Sequence, residues 1–137
     1  MEQFPLKDRF AVHLGMEIVE RRPGYAKVTV GVTERFLNGL SFAHGGVIFS
    51  AADYAFALAS NSSQETALAI NISMNFIKAA VLGDDLCAEA KQISRSRRLG
   101  VYHGNVVNQK GETLAQFQSM AYFQEVKSAA VPAAPSL

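Results

Sequence analysis

Apolar residues along this chain recur at two different periods, and the first is the twofold alternation of β-strands. In the segment 25–32 every second residue is alanine or valine, which predicts a strand with one buried face. The segment 16–21 predicts a shorter strand, and Pro23-Gly24 predicts the turn that joins the two strands. A mixture of apolar and charged residues at 4–14 predicts a short helix ahead of this hairpin.

The period changes in the segment 45–60, "GGVIFSAADYAFALAS". This segment has no proline and no strand-type alternation and is rich in alanine, so it predicts a helix of about four turns. Only Ser50 and Asp53 interrupt its apolar surface. A helix that is apolar on all sides is buried on all sides, so we expect a sheet wrapped around it and a second subunit against the remainder.

The rest of the chain alternates as strands do. Four strands are predicted in a consecutive antiparallel meander, at about 70–76, 86–95, 100–108 and 113–124. Because no other predicted element is long enough to cover the apolar helix, the strands must form a sheet around it. The predicted fold class is α+β, with an antiparallel sheet of about six strands wrapped around one long buried helix.

The length of 137 residues is that of a single domain, which we expect to span residues 1–126. The tail at 127–137, "KSAAVPAAPSL", is small, proline-bearing and aperiodic, so we expect it to be disordered. The formal net charge is +1, which provides no electrostatic excess for binding nucleic acid or anionic lipid. A small ligand or a protein partner is therefore favoured.

Cys87 is the single cysteine, so an intrachain disulfide is excluded, which suits a reducing compartment. The three histidines show no metal-ligand spacing with it, so no metal site is expected. The first residues contain no basic segment followed by an apolar run, which argues against a secretory signal and predicts a cytoplasmic location. The apolar run at 46–60 is shorter than the roughly 20 residues of a membrane span and carries Asp53 at its centre, so no membrane span is expected.

The segment 38–53 carries the candidate chemistry, in the order Asn38-Gly39, four residues, His44-Gly45-Gly46, six residues, and Asp53. Glycines in the first turn leave the helical N–H groups uncovered, so a carbonyl oxygen near Gly45 would meet an oxyanion-type site. Asp53 lies roughly 12 Å from Gly45 at 1.5 Å rise per residue, too far to serve the same carbonyl in one chain. Two helices packed antiparallel across a twofold axis would bring the two groups together.

This motif resembles the signature of the hot-dog-fold acyl-coenzyme A thioesterases, specifically the PaaI type of phenylacetic acid degradation. The likeness covers residues 10–124 and includes "NFIKAAVLGDDL" at 75–86 and "NQKGETLAQF" at 108–117. It implies hydrolysis of acyl-coenzyme A thioesters without a metal or redox cofactor. It also implies a homodimer with shared active sites, which pairs further into a dimer of dimers, a homotetramer.

The resemblance also implies roles for the residues of the motif. In the family a glycine amide polarises the thioester carbonyl, a role that falls on Gly45. A carboxylate of the facing subunit acts there as nucleophile or as the base for water, a role that falls on Asp53. His44 and Asn38 match the positions that orient the substrate or hold the water.

The arginines of "SRSRRLG", residues 94–100, form the densest basic cluster in the chain. Between two strands such a run is commonly a solvated turn. In the family the matching loop meets coenzyme A phosphates, so Arg97 and Arg98 are candidate phosphate contacts. Lys78 is a further candidate, although the family often has proline where this chain has Ala79.

The residues of the motif could also have purely structural roles. Asp53 could be a buried paired charge, but no basic residue lies three or four positions from it in the helix. His44 could simply cap the helix, and Gly45-Gly46 could serve only close packing of helix against strand. The capping and packing roles are compatible with catalysis.

The acyl pocket is expected between the Phe49/Phe56 region of the helix and strand residues of the facing chain, and either an aryl or an alkyl group could fill it. A non-catalytic acyl-ligand binder or sensor on the same fold is a second class of function. Asp53 argues against it, because binding alone does not require a carboxylate there. A hot-dog hydratase is a third class, but that family pairs its Asp and His at a different spacing.

Overall fold

The computed structural model describes residues 7–62 and 64–125, and the predicted tail at 127–137 lies outside them. The elements of the described residues are, in chain order, α1 Arg9–Leu14, β1 Glu17–Arg22, β2 Tyr25–Gly31, a 3₁₀ turn Glu34–Phe36, α2 Gly45–Ser60, β3 Glu65–Phe76, β4 Asp85–Arg95, β5 Leu99–Val107 and β6 Thr113–Glu125. No helix within these residues has the length and hydropathy needed to cross a bilayer.

The six strands form one antiparallel sheet in the order β1-β2-β4-β5-β6-β3. The long helix α2 packs mainly against β2 and β4 in this sheet. The predicted α+β class, with a six-stranded antiparallel sheet packed on one long helix, is confirmed. Its core lies between α2 and the inner face of the sheet, where small side chains such as Ala26, Ala88 and Ala90 are fully buried and let the helix approach closely.

The expectation of a consecutive four-strand meander is wrong. Of these four strands only β4, β5 and β6 are consecutive neighbours, whereas β3 pairs with β6 at the edge opposite β1. The segment 77–84 is not a hairpin turn, because Ile77 and Lys78 donate to the Leu114 carbonyl and Ala80 accepts from the Ala43 N–H. This crossover places the small-residue strand β4 beside β2, under the helix.

Both ends of α2 are fixed by side chains. At the N-terminus the His44 ring accepts a hydrogen bond from the Gly46 N–H. At the C-terminus Arg21 donates from Nε to the Leu58 carbonyl and from Nη2 to the Asn61 carbonyl, each at 3.2 Å. Because the last turn of a helix leaves its carbonyls without helical partners, these bonds fix the helix against β1.

The sheet covers only part of α2. The buried helix residues are Val47, Ile48, Ala51, Ala52, Ala55, Phe56, Leu58, Ala59 and Ser60. A second strip of the helix, which includes Phe49, Ser50, Asp53 and Tyr54, is exposed or half-buried. The sheet therefore leaves free the side of the helix that carries the candidate carboxylate.

Candidate active site

Asn38 builds the loop that leads into α2. Its Oδ1 accepts hydrogen bonds from the N–H groups of Leu40 at 2.9 Å and Phe42 at 3.1 Å, and its own N–H donates to the Phe42 carbonyl at 2.7 Å. The amide oxygen of Asn38 is thus used inside the loop, so only its Nδ2 group remains to donate to a ligand. Asn38 therefore holds the turn that presents the start of the helix.

His44 is the N-cap of α2. Its Nδ1 accepts from the Gly46 N–H at 2.8 Å, so the capping role that the sequence suggested as an alternative is present. When Nδ1 of a neutral imidazole accepts, Nε2 carries the proton and can donate. A Cβ on Gly46 would lie 2.9 Å from His44 Nδ1, so only glycine fits beside the capping ring. Capping therefore leaves the Nε2–H of an exposed side chain free for a substrate.

Gly45 supplies the first N–H group of the helix. The next two N–H groups are used, since Gly46 donates to the His44 ring and Val47 to the His44 carbonyl. Within the described ranges no acceptor pairs with the Gly45 N–H. A Cβ on Gly45 would meet the Phe76 ring at 3.4 Å, an ordinary contact, so packing alone does not require glycine there. A free N–H at the positive end of a four-turn helix suits the developing negative charge of a carbonyl oxygen.

Asp53 is half-buried on the uncovered strip of α2, three residues after Ser50. No described residue donates a hydrogen bond to its carboxylate. Burial raises the pKa of Asp53 above its ordinary value, and the nearby Asp8 carboxylate raises it further. A carboxylate with a raised pKa and no structural partner is poised to take a proton or to attack.

The carboxylate of Asp53 faces a cavity of about 250 Å³ between α2 and the N-terminal helix α1. Asp8 caps α1, its Oδ1 accepting from the Ala11 N–H at 2.9 Å, and also lines this cavity. Neither Asp8 nor Ser50 was assigned to the site from the sequence, although Ser50 was noted as an interruption of the apolar helix. Ser50 could have been found, because residues three apart share a helix face. Nothing in the sequence indicates which surface a helix as short as α1 covers.

Phe56, which the sequence analysis grouped with Phe49 beside the acyl pocket, does not line this cavity. Its side chain is 2% exposed, and its ring packs edge-to-face on Tyr102 with the centroids 5.2 Å apart. Phe49 does line the cavity. Phe56 lies on the face of α2 that the sheet covers, which a helix apolar on all sides does not reveal from its sequence.

The three basic candidates lie at opposite ends of the edge strand β3. Lys78 follows the end of β3 and forms an ion pair with Glu112. Arg98 lies near its beginning, since its carbonyl accepts from Phe123 N–H and Phe123 is the β6 partner of Ala67. Eleven residue steps of strand span roughly 36 Å. One chain therefore cannot bring Lys78 and the arginines to the same phosphate.

Two arginines of the cluster already have partners within the chain. Arg95 pairs with Glu65 at 2.7 Å and lies over the Phe123 ring at 3.4 Å. Arg98 donates from Nη1 to the Tyr122 hydroxyl at 2.9 Å. Arg97 is exposed and has no partner among the residues that the structure describes. Arg97 and the remaining donors of Arg98 are thus the part of the cluster open to a ligand.

The Thioesterase superfamily profile matches residues 40–115 of this chain. The acyl-coenzyme A thioesterase PaaI of Escherichia coli is 38% identical over 115 residues, which make up 84% of this chain and 82% of that protein. The solved structure of the E. coli PaaI protein from the phenylacetic acid degradation operon is similar to this one, with a TM-score of 0.82, at 38% identity, over 85% of this chain and 84% of that one.

Two further solved structures resemble this chain. The TT0310 protein of Thermus thermophilus is 33% identical, with a TM-score of 0.81 over 85% of this chain and 98% of its own. The smu.793 protein of Streptococcus mutans, bound to acetyl CoA, is 28% identical, with a TM-score of 0.77 over 82% of this chain and 91% of its own.

Proposed function

This chain belongs to the thioesterase superfamily as a thioester hydrolase of the PaaI type, and on that premise we propose that it hydrolyses acyl-coenzyme A thioesters to free acid and coenzyme A. The observation that carries the proposal is one helix on which, among the described residues, nothing pairs with the Gly45 N–H group or with the Asp53 carboxylate. The E. coli relative is named an acyl-coenzyme A thioesterase, and the S. mutans protein is bound to acetyl CoA. Both support the choice of substrate.

The proposed chemistry uses each group for one task. The Gly45 N–H donates to the thioester carbonyl oxygen, where negative charge develops in the transition state. His44 Nε2–H and Asn38 Nδ2–H orient the substrate or the water. Asp53 either removes a proton from water, which then attacks, or attacks the carbonyl carbon itself, in which case water hydrolyses the acyl-enzyme. A carbon–oxygen bond forms and the carbon–sulfur bond breaks. The sulfur leaves as a thiolate and takes up the proton that the attacking water gives up, which yields coenzyme A thiol.

We propose that each site is shared between two chains of a homodimer. Support comes from β3, a sheet edge of 12 residues with exposed Leu68, Ile70 and Phe76 and no charge or proline over 66–76. Such an edge offers unpaired backbone groups to another chain. Antiparallel pairing of β3 with its copy would place the arginine end of one chain beside the Lys78 and Gly45 end of the other.

We further propose that two such dimers form a homotetramer and that the protein is cytoplasmic. The outer sheet face supports the tetramer, because a depression of about 450 Å³ there is lined by uncharged polar side chains such as Asn75, Asn105 and Gln116. Depletion of charge is typical of interface centres. The free thiol of Cys87 suits the reducing cytoplasm. The catalytic unit is the single domain expected over residues 1–126.

A thiol-release assay across a panel of acyl-coenzyme A esters tests the proposed reaction. We expect release of free coenzyme A from at least one ester with saturation kinetics. Ester binding without thiol release would overturn hydrolysis and favour the acyl-ligand binder instead. No specific feature of the structure favours that alternative, since binding does not need the carboxylate of Asp53.

The double substitution Arg97→Ala/Arg98→Ala is expected to raise KM for coenzyme A esters about three- to tenfold, the range of two exposed charge contacts. The salt dependence of KM should weaken in the same variant, because fewer phosphate charges are neutralised. KM for a short thioester without the nucleotide should stay unchanged. Steady-state kinetics at two ionic strengths measure both effects.

The control is Arg22→Ala/Lys91→Ala, which removes two exposed positive charges away from β3. It should leave both KM values unchanged. Equal losses on the nucleotide ester and on the short thioester in the Arg97/Arg98 variant would show that these arginines support the fold and do not bind phosphate.

A further inference from the structure

Two carboxylates from different helices, Asp8 and Asp53, line the same cavity. The cavity of about 250 Å³ lies between α1 and α2, with Asp8 at the N-cap of α1 and Asp53 near the middle of α2. Among the described residues that line it, none carries a positive charge. Two negative groups therefore share one enclosure without a cation between them, and the proposed chemistry uses only one of the two.

Asp8 is held in place by the helix that it caps. Its Oδ1 accepts from the Ala11 N–H at 2.9 Å, and its carbonyl accepts from the Val12 N–H at 3.1 Å. Ala11 is buried in the core, so the first turn of α1 cannot move away from α2 without exposing it. The cap uses one carboxylate oxygen, and among the described residues nothing donates a hydrogen bond to the other. The charge of Asp8 therefore has a fixed position and no ion-pair partner there.

The walls that separate the two carboxylates are largely apolar. Ala11 and Met16, both buried, face the cavity from the N-terminal segment, and Phe49 faces it from α2. Apolar walls lower the local dielectric constant, so two charges between them interact more strongly than two charges in open water. The charge of Asp8 therefore acts on Asp53 more strongly than that of an exposed carboxylate at the same distance.

The other titratable groups near the cavity do not neutralise this pair. Tyr54 also lines it, and burial and the Asp8 carboxylate raise the pKa of Tyr54 against the opposing effect of Arg21 from β1, so the phenol is uncharged at neutral pH. The basic side chains of α1 are exposed and lie outside the cavity lining, namely Arg9 and His13. Within the described part of the chain, Asp8 is thus the charged group that faces Asp53 across the cavity.

On the basis of the function proposed above, we propose that Asp8 is a positioning residue for hydrolysis, whose fixed negative charge strengthens Asp53 as a base or nucleophile. A like charge makes a carboxylate hold a proton more firmly, and such a carboxylate removes a proton from water more readily. The raised pKa of Asp53, caused first by burial and then by Asp8, has the required direction. In the shared site, the facing helix would bring its positive N-terminus and its own His44 to Asp53, which weakens the base, and Asp8 opposes that effect.

The test compares the pH profiles of kcat/KM for wild type, Asp8→Asn and Glu17→Gln. Asparagine caps a helix about as well as aspartate, so Asp8→Asn removes the charge and keeps α1. Glu17→Gln is the matched control, because it removes an exposed negative charge that does not line the cavity. In Asp8→Asn the acid limb should move to lower pH, and kcat/KM above the limb should fall about two- to fivefold because the base is weaker. The profile of Asp8→Asn should therefore cross that of wild type, whereas Glu17→Gln should follow wild type throughout.

The outcomes separate this inference from the reaction itself. A loss by the same factor at every pH, or an acid limb unchanged from that of Glu17→Gln, would overturn the role of Asp8 and leave hydrolysis standing. Asp8→Ser, which also caps without a charge, should show the same acid limb as Asp8→Asn. If no ester releases thiol, hydrolysis is overturned, and carbon NMR of the Asp53 carboxyl group decides. Its titration midpoint should be lower in Asp8→Asn than in wild type and Glu17→Gln, and equal midpoints in all three would overturn the coupling.

Discussion

Asp53→Ala and Asp53→Asn are each expected to lose most thioester hydrolysis while the protein stays folded. A positioned acid–base group contributes about a hundredfold to ten-thousandfold to rate, and kcat should fall within that range. Asparagine keeps the shape of the side chain but not its negative charge, so it should be nearly as poor as alanine. Thiol release at saturating substrate measures the loss, and circular dichroism confirms the fold.

The same substitutions should leave the free energy of unfolding unchanged or raise it near neutral pH. The pKa of Asp53 is raised by burial and by Asp8, so the folded protein holds this proton more firmly than the unfolded chain does. Stability is therefore lost as pH rises from the ordinary aspartate pKa to the raised folded pKa, and the deficit persists above that window. Removing the carboxylate removes the deficit. In wild type, the acid limb of kcat/KM should lie above the ordinary aspartate pKa.

Asp84 provides the matched control for Asp53. Its carboxylate accepts from the Val81 N–H at 2.9 Å and from Gln109 Nε2 at 3.0 Å, and these bonds lower its pKa. Asp84→Ala leaves those donors unpaired, so it should lose about 1–3 kcal/mol of stability and keep the rate per folded molecule. Near wild-type kcat in Asp53→Ala would refute the catalytic assignment. A loss of stability in Asp53→Ala as large as that expected for Asp84→Ala would also refute it, because the lost activity would then have a structural cause.

The local elements could be predicted because their signals are local. The helix at 45–60 has the bounds expected from its alanine-rich composition and from the polar residues that follow it. The position of β3 could not be predicted in this way. Alternation shows that a strand has a buried face, but the choice between β4 and β6 as its neighbour depends on long-range packing. Here small Ala88 and Ala90 favour β4 beneath the helix.

The candidate site, like the fold, could be predicted from the sequence only in part. The spacing of Gly45 and Asp53 already indicates two groups that one chain cannot bring to one carbonyl. Whether Phe49 or Phe56 meets the cavity was not predictable, because a helix apolar on every side gives no preferred face. The covering of Asp53 by α1 is a tertiary contact between distant segments. The candidate residues could therefore be selected from the motif, whereas the shape of the cavity beside Asp53 could not be predicted.

Mixing two inactive variants is expected to restore activity if each site takes His44 and Gly45 from one chain and Asp53 from the other. Asp53→Ala and His44→Ala proteins, each nearly inactive, are unfolded, combined in equal amounts and refolded. Random pairing makes about half of the dimers mixed, and each mixed dimer has one site with both groups intact, so about a quarter of all sites should recover. Thiol release relative to refolded wild type measures the recovery, with the residual activity of each variant subtracted.

A second mixture gives the converse result. The double variant His44→Ala/Asp53→Ala is refolded with an equal amount of wild type. With shared sites, both sites of a mixed dimer lack one group, so only wild-type dimers act and about a quarter of sites remain. With sites confined to one chain, every wild-type chain keeps its site and about half remain. Half activity here, with no recovery in the first mixture and subunit exchange verified by mass, would refute the shared site. A quarter in both mixtures requires that Asp53 act on a substrate polarised by the other chain's helix, because no arrangement within one chain gives both values.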